Sequence, residues 1–109
     1  MPRKSPQVLV VLVTCPPGKA AAIAGALVED RVAACVNVVP GVRSVYRWKG
    51  AIQRDAESLL IIKTAKERFR ALKDAVLKRH PYTVPEVIAL PVGRGHRPYL
   101  DWILEMVAA

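Results

Sequence analysis

Apolar positions along the chain follow two rhythms. Val8 to Val13 is a continuous apolar run, the pattern of a strand covered on both faces, and Pro16-Pro17-Gly18 ends it. Lys19 to Arg31 is rich in Ala and sets Ile23, Leu27 and Val28 on one side, which predicts an amphipathic helix. Ala34 to Val39 returns to strand. Pro40-Gly41 predicts a bend, after which Val42, Val45, Tyr46 and Trp48 predict a second extended stretch reaching a Lys49-Gly50 turn. The chain then doubles back through a strand from Ser58 to Thr64. Thr64-Ala65-Lys66-Glu67 has the spacing of a capping box, and a helix with Phe69, Leu72 and Val76 on its buried stripe follows. Pro81 stops that helix near His80, because the residue before proline is pushed out of helical geometry. Val87 to Val92 reads as the last strand. Pro98 opens a terminal helix whose stripe is Tyr99, Trp102, Ile103 and Met106.

The order strand, helix, strand pair, helix, strand, helix is an α+β plan: a split βαβ sandwich, with an antiparallel sheet, two helices on one face and a short C-terminal helix. Those two helices leave the other face open, yet Val8 to Val13 and Leu59 to Ile62 carry apolar side chains to both faces. The pattern therefore predicts oligomerisation, with a second copy as the cover.

Length and charge narrow the picture. The chain has 109 residues, the size of one domain, with an expected core over 7–106. Half of it is apolar, which excludes disorder. Seventeen Lys and Arg against nine Asp and Glu give a net charge of +8, but the cations are dispersed and name no partner. The start imitates a signal peptide, with basic residues ahead of an apolar stretch, but the stretch is too short and prolines follow at once. No run approaches a membrane span. Two cysteines twenty positions apart do not make a secreted disulfide framework, so the cytoplasm is expected.

Several stretches together resemble the CutA divalent-cation tolerance proteins: Ala33-Ala34-Cys35-Val36-Asn37, Pro40-Gly41-Val42, Tyr46-Arg47-Trp48-Lys49-Gly50, Glu57 leading into Ile62-Lys63-Thr64, His80-Pro81-Tyr82 with Pro85-Glu86, and Tyr99-Leu100-Asp101-Trp102. The resemblance runs from Val8 to Ile103. It implies a ferredoxin-like subunit in a homotrimer, binding of divalent metal, Cu(II) in particular, and a role in the response to metal ions.

Metal chemistry has few donors to draw on. Cu(II) is favoured by the general affinity order of divalent ions, but His80, His96, Cys15 and Cys35 supply no closed four-ligand site within one subunit. His80 reads either as a helix-end residue interacting with the last carbonyls or, through the family match, as a ligand. Glu86 is either a solvated charge at a strand start or a second ligand. Cys35 lies in an apolar strand, where a cysteine is commonly a small core residue, and stands as a third candidate. A fully extended path would separate His80 from Glu86 by about 20 Å, so a shared ion calls either for a corner that folds back or for ligands from different subunits, and the second is expected because a trimer brings equivalent corners near neighbouring chains. Tyr46 and Trp48 share one side of their strand and read as subunit contacts.

No nucleophile elbow, phosphate loop or His-based catalytic constellation is present, and a non-enzymatic binding protein is expected. A PII-like trimeric regulator binding a small anion or nucleotide between subunits is the alternative. Specific nucleic-acid recognition is not expected, since the exposed aromatic pattern of RNA-binding sheets is missing.

Overall fold

The structure is a computed structural model and describes residues 7–109. The basic positions of the signal-like start, Arg3 and Lys4, lie outside the described residues. Four strands and three helices follow in the order β1 (Val8–Cys15), α1 (Ala20–Glu29), β2 (Cys35–Trp48), β3 (Ala51–Ala65), α2 (Phe69–Arg79), β4 (Ile88–Pro91) and α3 (Arg97–Met106). Single 3-10 turns, Pro17–Lys19 and Lys66–Arg68, lead into α1 and α2. The strands form one sheet in the order β2-β3-β1-β4, with every pairing antiparallel. The expected α+β plan is therefore observed.

Cross-strand partners divide the sheet into two faces, since directly opposed residues point the same way. Val11, Val13 and Cys15 face Ile62, Leu60 and Ser58, and this side packs under α1 and α2 through Ile23, Leu27, Leu72 and Val76. Each large apolar side chain enclosed there contributes roughly 1.5 to 3 kcal/mol. On the other face α3 covers one end, where Ile103 and Val107 meet Val8 and Ala65. The rest of that face is open: Val10 and Leu12 are half-buried, and their partners Leu90 and Ile88 are 51% and 52% exposed.

Several sequence expectations change. The stretches on either side of Pro40-Gly41 are one strand interrupted by a β-bulge: Val39 pairs with Leu59 and Val42 with Glu57, so β2 takes three steps where β3 takes two. Gly41 adopts φ +74° inside it. β3 begins at Ala51, well before the expected Ser58. Residues 51–57 pair only with β2, whereas residues 58–65 pair with β1 and 59–63 of them with β2 as well, so the first half is a two-stranded ribbon with neither polar alternation nor an apolar run to betray it. Lys49 and Gly50 turn the ribbon with φ of 50° and 80°, the positive pair that a tight hairpin needs. The ribbon stretches the molecule to 54 × 25 × 22 Å.

The capping box does not form. Thr64 belongs to β3, fully buried, and its hydroxyl donates to the Val32 carbonyl at 2.7 Å, so it is not free to cap α2. In α1 the buried positions are Ala20, Ile23 and Leu27, while Val28 is exposed. In α3 Ile103 is buried with Val107 beyond the helix end and Leu100 and Leu104 beside them, whereas Tyr99, Trp102 and Met106 form an exposed side on which the two rings stack at 5.7 Å. The long helix-spaced set contained both stripes, and contact with β1 and β3 selected the smaller residues.

Candidate functional site

The ribbon and the corner after α2 build a cleft of about 640 Å³, lined on the open-face side by Thr14, Ser44, Tyr46, Trp48, Glu57 and Tyr82, with Glu86 and its neighbours in the corner. Register explains the first group. Glu57 is opposite Val42, Asp55 opposite Ser44, and Gln53 opposite Tyr46, so the odd residues of β3 and the even residues of β2 share a face there. Before the bulge it is Cys35, Asn37 and Val39 that share that face with Lys63, Ile61 and Leu59. The bulge thus switches parity and turns Tyr46 and Trp48 toward the cleft.

The corner is held by His80. Its imidazole, only 8% exposed, meets the Thr14 carbonyl through Nε2 at 2.7 Å and accepts the Tyr82 backbone N–H at Nδ1 at 3.2 Å. Acceptance at Nδ1 assigns the proton to Nε2, which donates to Thr14. Both ring nitrogens therefore tie backbone to backbone, joining the end of β1 to the segment after α2. The His80 N–H closes the helix on the Val76 carbonyl at 2.9 Å. Tyr82, whose ring lies 4.7 Å from the imidazole, then reaches across to donate its hydroxyl to Glu57 Oε2 at 3.0 Å.

Glu57 is 4% exposed. Burial, followed by the hydrogen bond to Glu57 and the charges of Glu57 and Asp55, pushes the Tyr82 phenol up to about 12. The Tyr46 phenol donates to Asp55 and is pushed up chiefly by that bond. Burial and then the Glu57 charge push the Cys15 thiol up. The cleft is electronegative in a chain of net charge +8.

Of the expected site residues, Glu86, Tyr46 and Trp48 border this cleft, while His80 stands behind Pro81 and Tyr82. Cys35 is elsewhere, at the start of β2 opposite Lys63, whose ammonium is 3.8 Å from Sγ and also bonds Asn37. Burial and the adjacent Cys35 raise the Tyr99 phenol above its usual range. Among the described residues no three His, Cys, Asp or Glu side chains converge as a metal cage. His96 precedes α3, its carbonyl accepting the Tyr99 and Leu100 N–H groups. Glu57, Asp55 and Tyr82 had no site role in the sequence reading. The available signal for Glu57 was a carboxylate one residue ahead of the apolar run Leu59 to Ile62, and the register was needed to aim it.

Comparison with known proteins agrees with this architecture. Residues 9–106 match the family model described as CutA1 divalent ion tolerance protein. A divalent-cation tolerance protein CutA of Thermus thermophilus is 55% identical over 97 residues, covering 88% of this chain and 94% of that protein. The human Protein CutA is 51% identical over 100 residues, covering 91% of this chain but 56% of its own length, so the chain spans about half of that longer relative. The solved Thermus thermophilus structure superposes with a TM-score of 0.90 at 52% identity, covering 93% of this chain and 99% of the other. A structure described as the PII-like protein CutA from Nostoc superposes at 0.86 with 33% identity, covering 93% and 96%. With nearly its whole described length accounted for in this way, the chain belongs to the CutA1 divalent ion tolerance family.

Proposed function

We propose that the chain is a non-enzymatic divalent-cation tolerance protein that works as a homotrimer and binds a divalent cation, with Cu(II) the first candidate, at the cleft beside the ribbon. The observation that carries this reading is the concentration of carboxylates there: Glu57 and Glu86 border the cleft, Asp55 adjoins it, and no Lys, Arg or His among the described residues lines it. Two carboxylates are fewer ligands than such an ion takes, so the set is completed by a neighbouring subunit.

His80 serves as a ligand only if Nδ1 gives up the Tyr82 N–H. Cys35, at the other end of β2, is a separate candidate and joins only across a subunit boundary. The uncovered second sheet face supports the trimer, with Tyr46 and Trp48 as additional contacts between subunits. Two unpaired thiols suit a reducing compartment such as the cytoplasm, and no described helix is long and apolar enough to cross a membrane.

A PII-like regulator binding an anion between subunits is the second reading, favoured by the Nostoc neighbour's description and the basic net charge. The carboxylates oppose an anion in this cleft. Calorimetric titration of the tag-free protein with Cu(II), Zn(II) and ATP separates the readings. Saturable copper binding that weakens in Glu57→Gln and Glu86→Gln is expected, with His80→Ala and Cys35→Ser titrated alongside. Copper binding that ignores all four changes places the metal elsewhere, and ATP binding without metal binding favours the PII-like reading.

A further inference from the structure

We infer that each subunit sets Arg47 and Arg54 of its ribbon against Asp55 and Glu57 of the next, and that a divalent cation entering the cleft has to displace them. The inference rests on the trimer and on the cleft as a cation site, and names what holds that site when no metal is bound.

Threefold closure sets the requirement. A ring of three identical subunits is built on a heterologous contact, in which every subunit offers two different surfaces that fit one another. The first is the cleft side of the ribbon, where Tyr46 and Trp48 stand beside Asp55 and Glu57. Glu57 is nearly enclosed, and its one hydrogen-bond partner among the described residues is the neutral Tyr82 hydroxyl. An enclosed carboxylate is strongly destabilising without a positive partner, and its own subunit supplies none: the ion pairs of the described residues, Arg79 with Asp30 and Arg97 with Asp101, lie elsewhere. The surface that fits this one is therefore basic and apolar at once.

The reverse face of the same ribbon has that character. Register puts Arg43, Val45 and Arg47 of β2 there with Ile52, Arg54 and Ala56 of β3. All six are exposed in the single subunit, Val45 by 62% and Ile52 by 47%. The ribbon's acids, Asp55 and Glu57, are on the opposite side, whereas α2, also basic, interleaves Asp74 with its lysines. Arg47 and Arg54 are diagonal neighbours across the two strands, about 7 to 8 Å apart at the backbone, and Asp55 and Glu57 lie two residues apart on one strand, about 7 Å. The two pairs match in spacing. A guanidinium also stacks on an aromatic face while its edge bonds a carboxylate, so Tyr46 and Trp48 act as subunit contacts in the same arrangement. Arginine has no lone pair to give a metal. The neighbour's arginines and a metal therefore exclude one another at Glu57, and linkage makes each weaken the other by the same factor.

The experiment has two arms, both on the tag-free protein. In the first, metal-free Arg47→Lys/Arg54→Lys, which keeps the charges and supplies amines, is treated with a carbodiimide that joins an amine to a carboxylate in contact with it. Covalent dimers and trimers on a denaturing gel are expected, with mass spectrometry placing the amide between Asp55 or Glu57 and position 47 or 54. Opposite faces of one ribbon do not meet, so that link is between chains; its absence overturns the inference. In the second arm Cu(II) alone is titrated by calorimetry into wild type, Arg47→Gln/Arg54→Gln, and Lys73→Gln/Lys78→Gln, which removes the same charge from α2. The arginine variant should bind copper roughly fivefold or more tightly than wild type, and the lysine variant like wild type. Equal gains in both variants, or no gain in either, overturn the inference, and the charge-keeping variant of the first arm decides if the glutamine variant fails to assemble. Copper binding without the amide leaves the metal reading standing and removes this one; the amide without copper binding in any form of the protein keeps the arginine pairing and removes the metal reading.

Discussion

The Tyr82 hydroxyl and the Glu57 carboxylate meet at 3.0 Å across 25 residues of sequence, and this contact joins the corner after α2 to the base of the ribbon. Breaking it leaves a buried carboxylate without its donor. Tyr82→Phe should destabilise the protein by roughly 1.5 kcal/mol, the lower end for a charged acceptor, since water reaches the partly exposed phenol. Urea unfolding at one fixed protein concentration measures it. A double-mutant cycle with Glu57→Gln should return a coupling of roughly 0.5 kcal/mol or more; zero coupling means the contact is incidental.

Alkaline pH probes the same pair. Tyr82 titrates at about 12 in the folded chain against 10.0 for an ordinary phenol, so the folded state holds the proton longer than the unfolded one. The resulting stabilisation is fully present below pH 10 and is lost as pH rises through the folded value. Tyrosinate absorbance should show a late-titrating phenol that is absent in Tyr82→Phe, and the variant's stability should fall less steeply than wild type above pH 10.

Two glycines should respond with opposite signs to the same substitution. Gly41→Ala forces a side chain into φ +74° and should cost about 1 to 2 kcal/mol, with no clash involved because an added Cβ meets nothing within 4 Å. Gly25 lies inside α1, with open space around it, and Gly25→Ala should stabilise by about 0.5 to 1 kcal/mol. Thermal melts of both variants check the pair.

Assembly is tested on the open sheet face. Leu90 points there opposite Val10, and Leu90→Asp would set a charge among apolar side chains in a trimer. Light scattering after gel filtration should give three times the subunit mass for wild type and a smaller mass for the variant. Wild-type monomer at micromolar concentration would falsify the proposed assembly.

Strands β1 and β4 and the second half of β3 were legible because their apolar runs or flanking prolines are local signals. The ribbon half of β3 was not, because Gln53, Arg54, Asp55 and Ala56 pair with β2 alone and need no apolar alternation. Thr64 misled for a related reason: its spacing to Glu67 fits a cap, and only the tertiary contact with Val32 shows where the hydroxyl goes. At the site, Tyr46 and Trp48 were recognisable as one face of a strand, but which face depends on the bulge. Glu57 and Tyr82 are joined by tertiary geometry that no spacing encodes. His80 was open between a helix-end residue and a ligand, and its two backbone bonds assign it a bracing part whatever else it does.

The extra residue at Pro40-Gly41 also sets a rule for how this chain can change length. Removing a single residue there would leave two steps of β2 against two of β3, so Val42 would stay opposite Glu57 and Tyr46 and Trp48 would keep the cleft, whereas one residue inserted between Val42 and Tyr46 without a second bulge would turn the aromatics away. Matched lengthening of both ribbon strands beyond Tyr46 and Gln53 would leave the lower cleft alone. Relatives that keep this site should therefore vary freely at the ribbon tip, tolerate loss of the bulge residue between Val39 and Val42, and conserve the residue count between Val42 and Tyr46 even where the residues themselves differ.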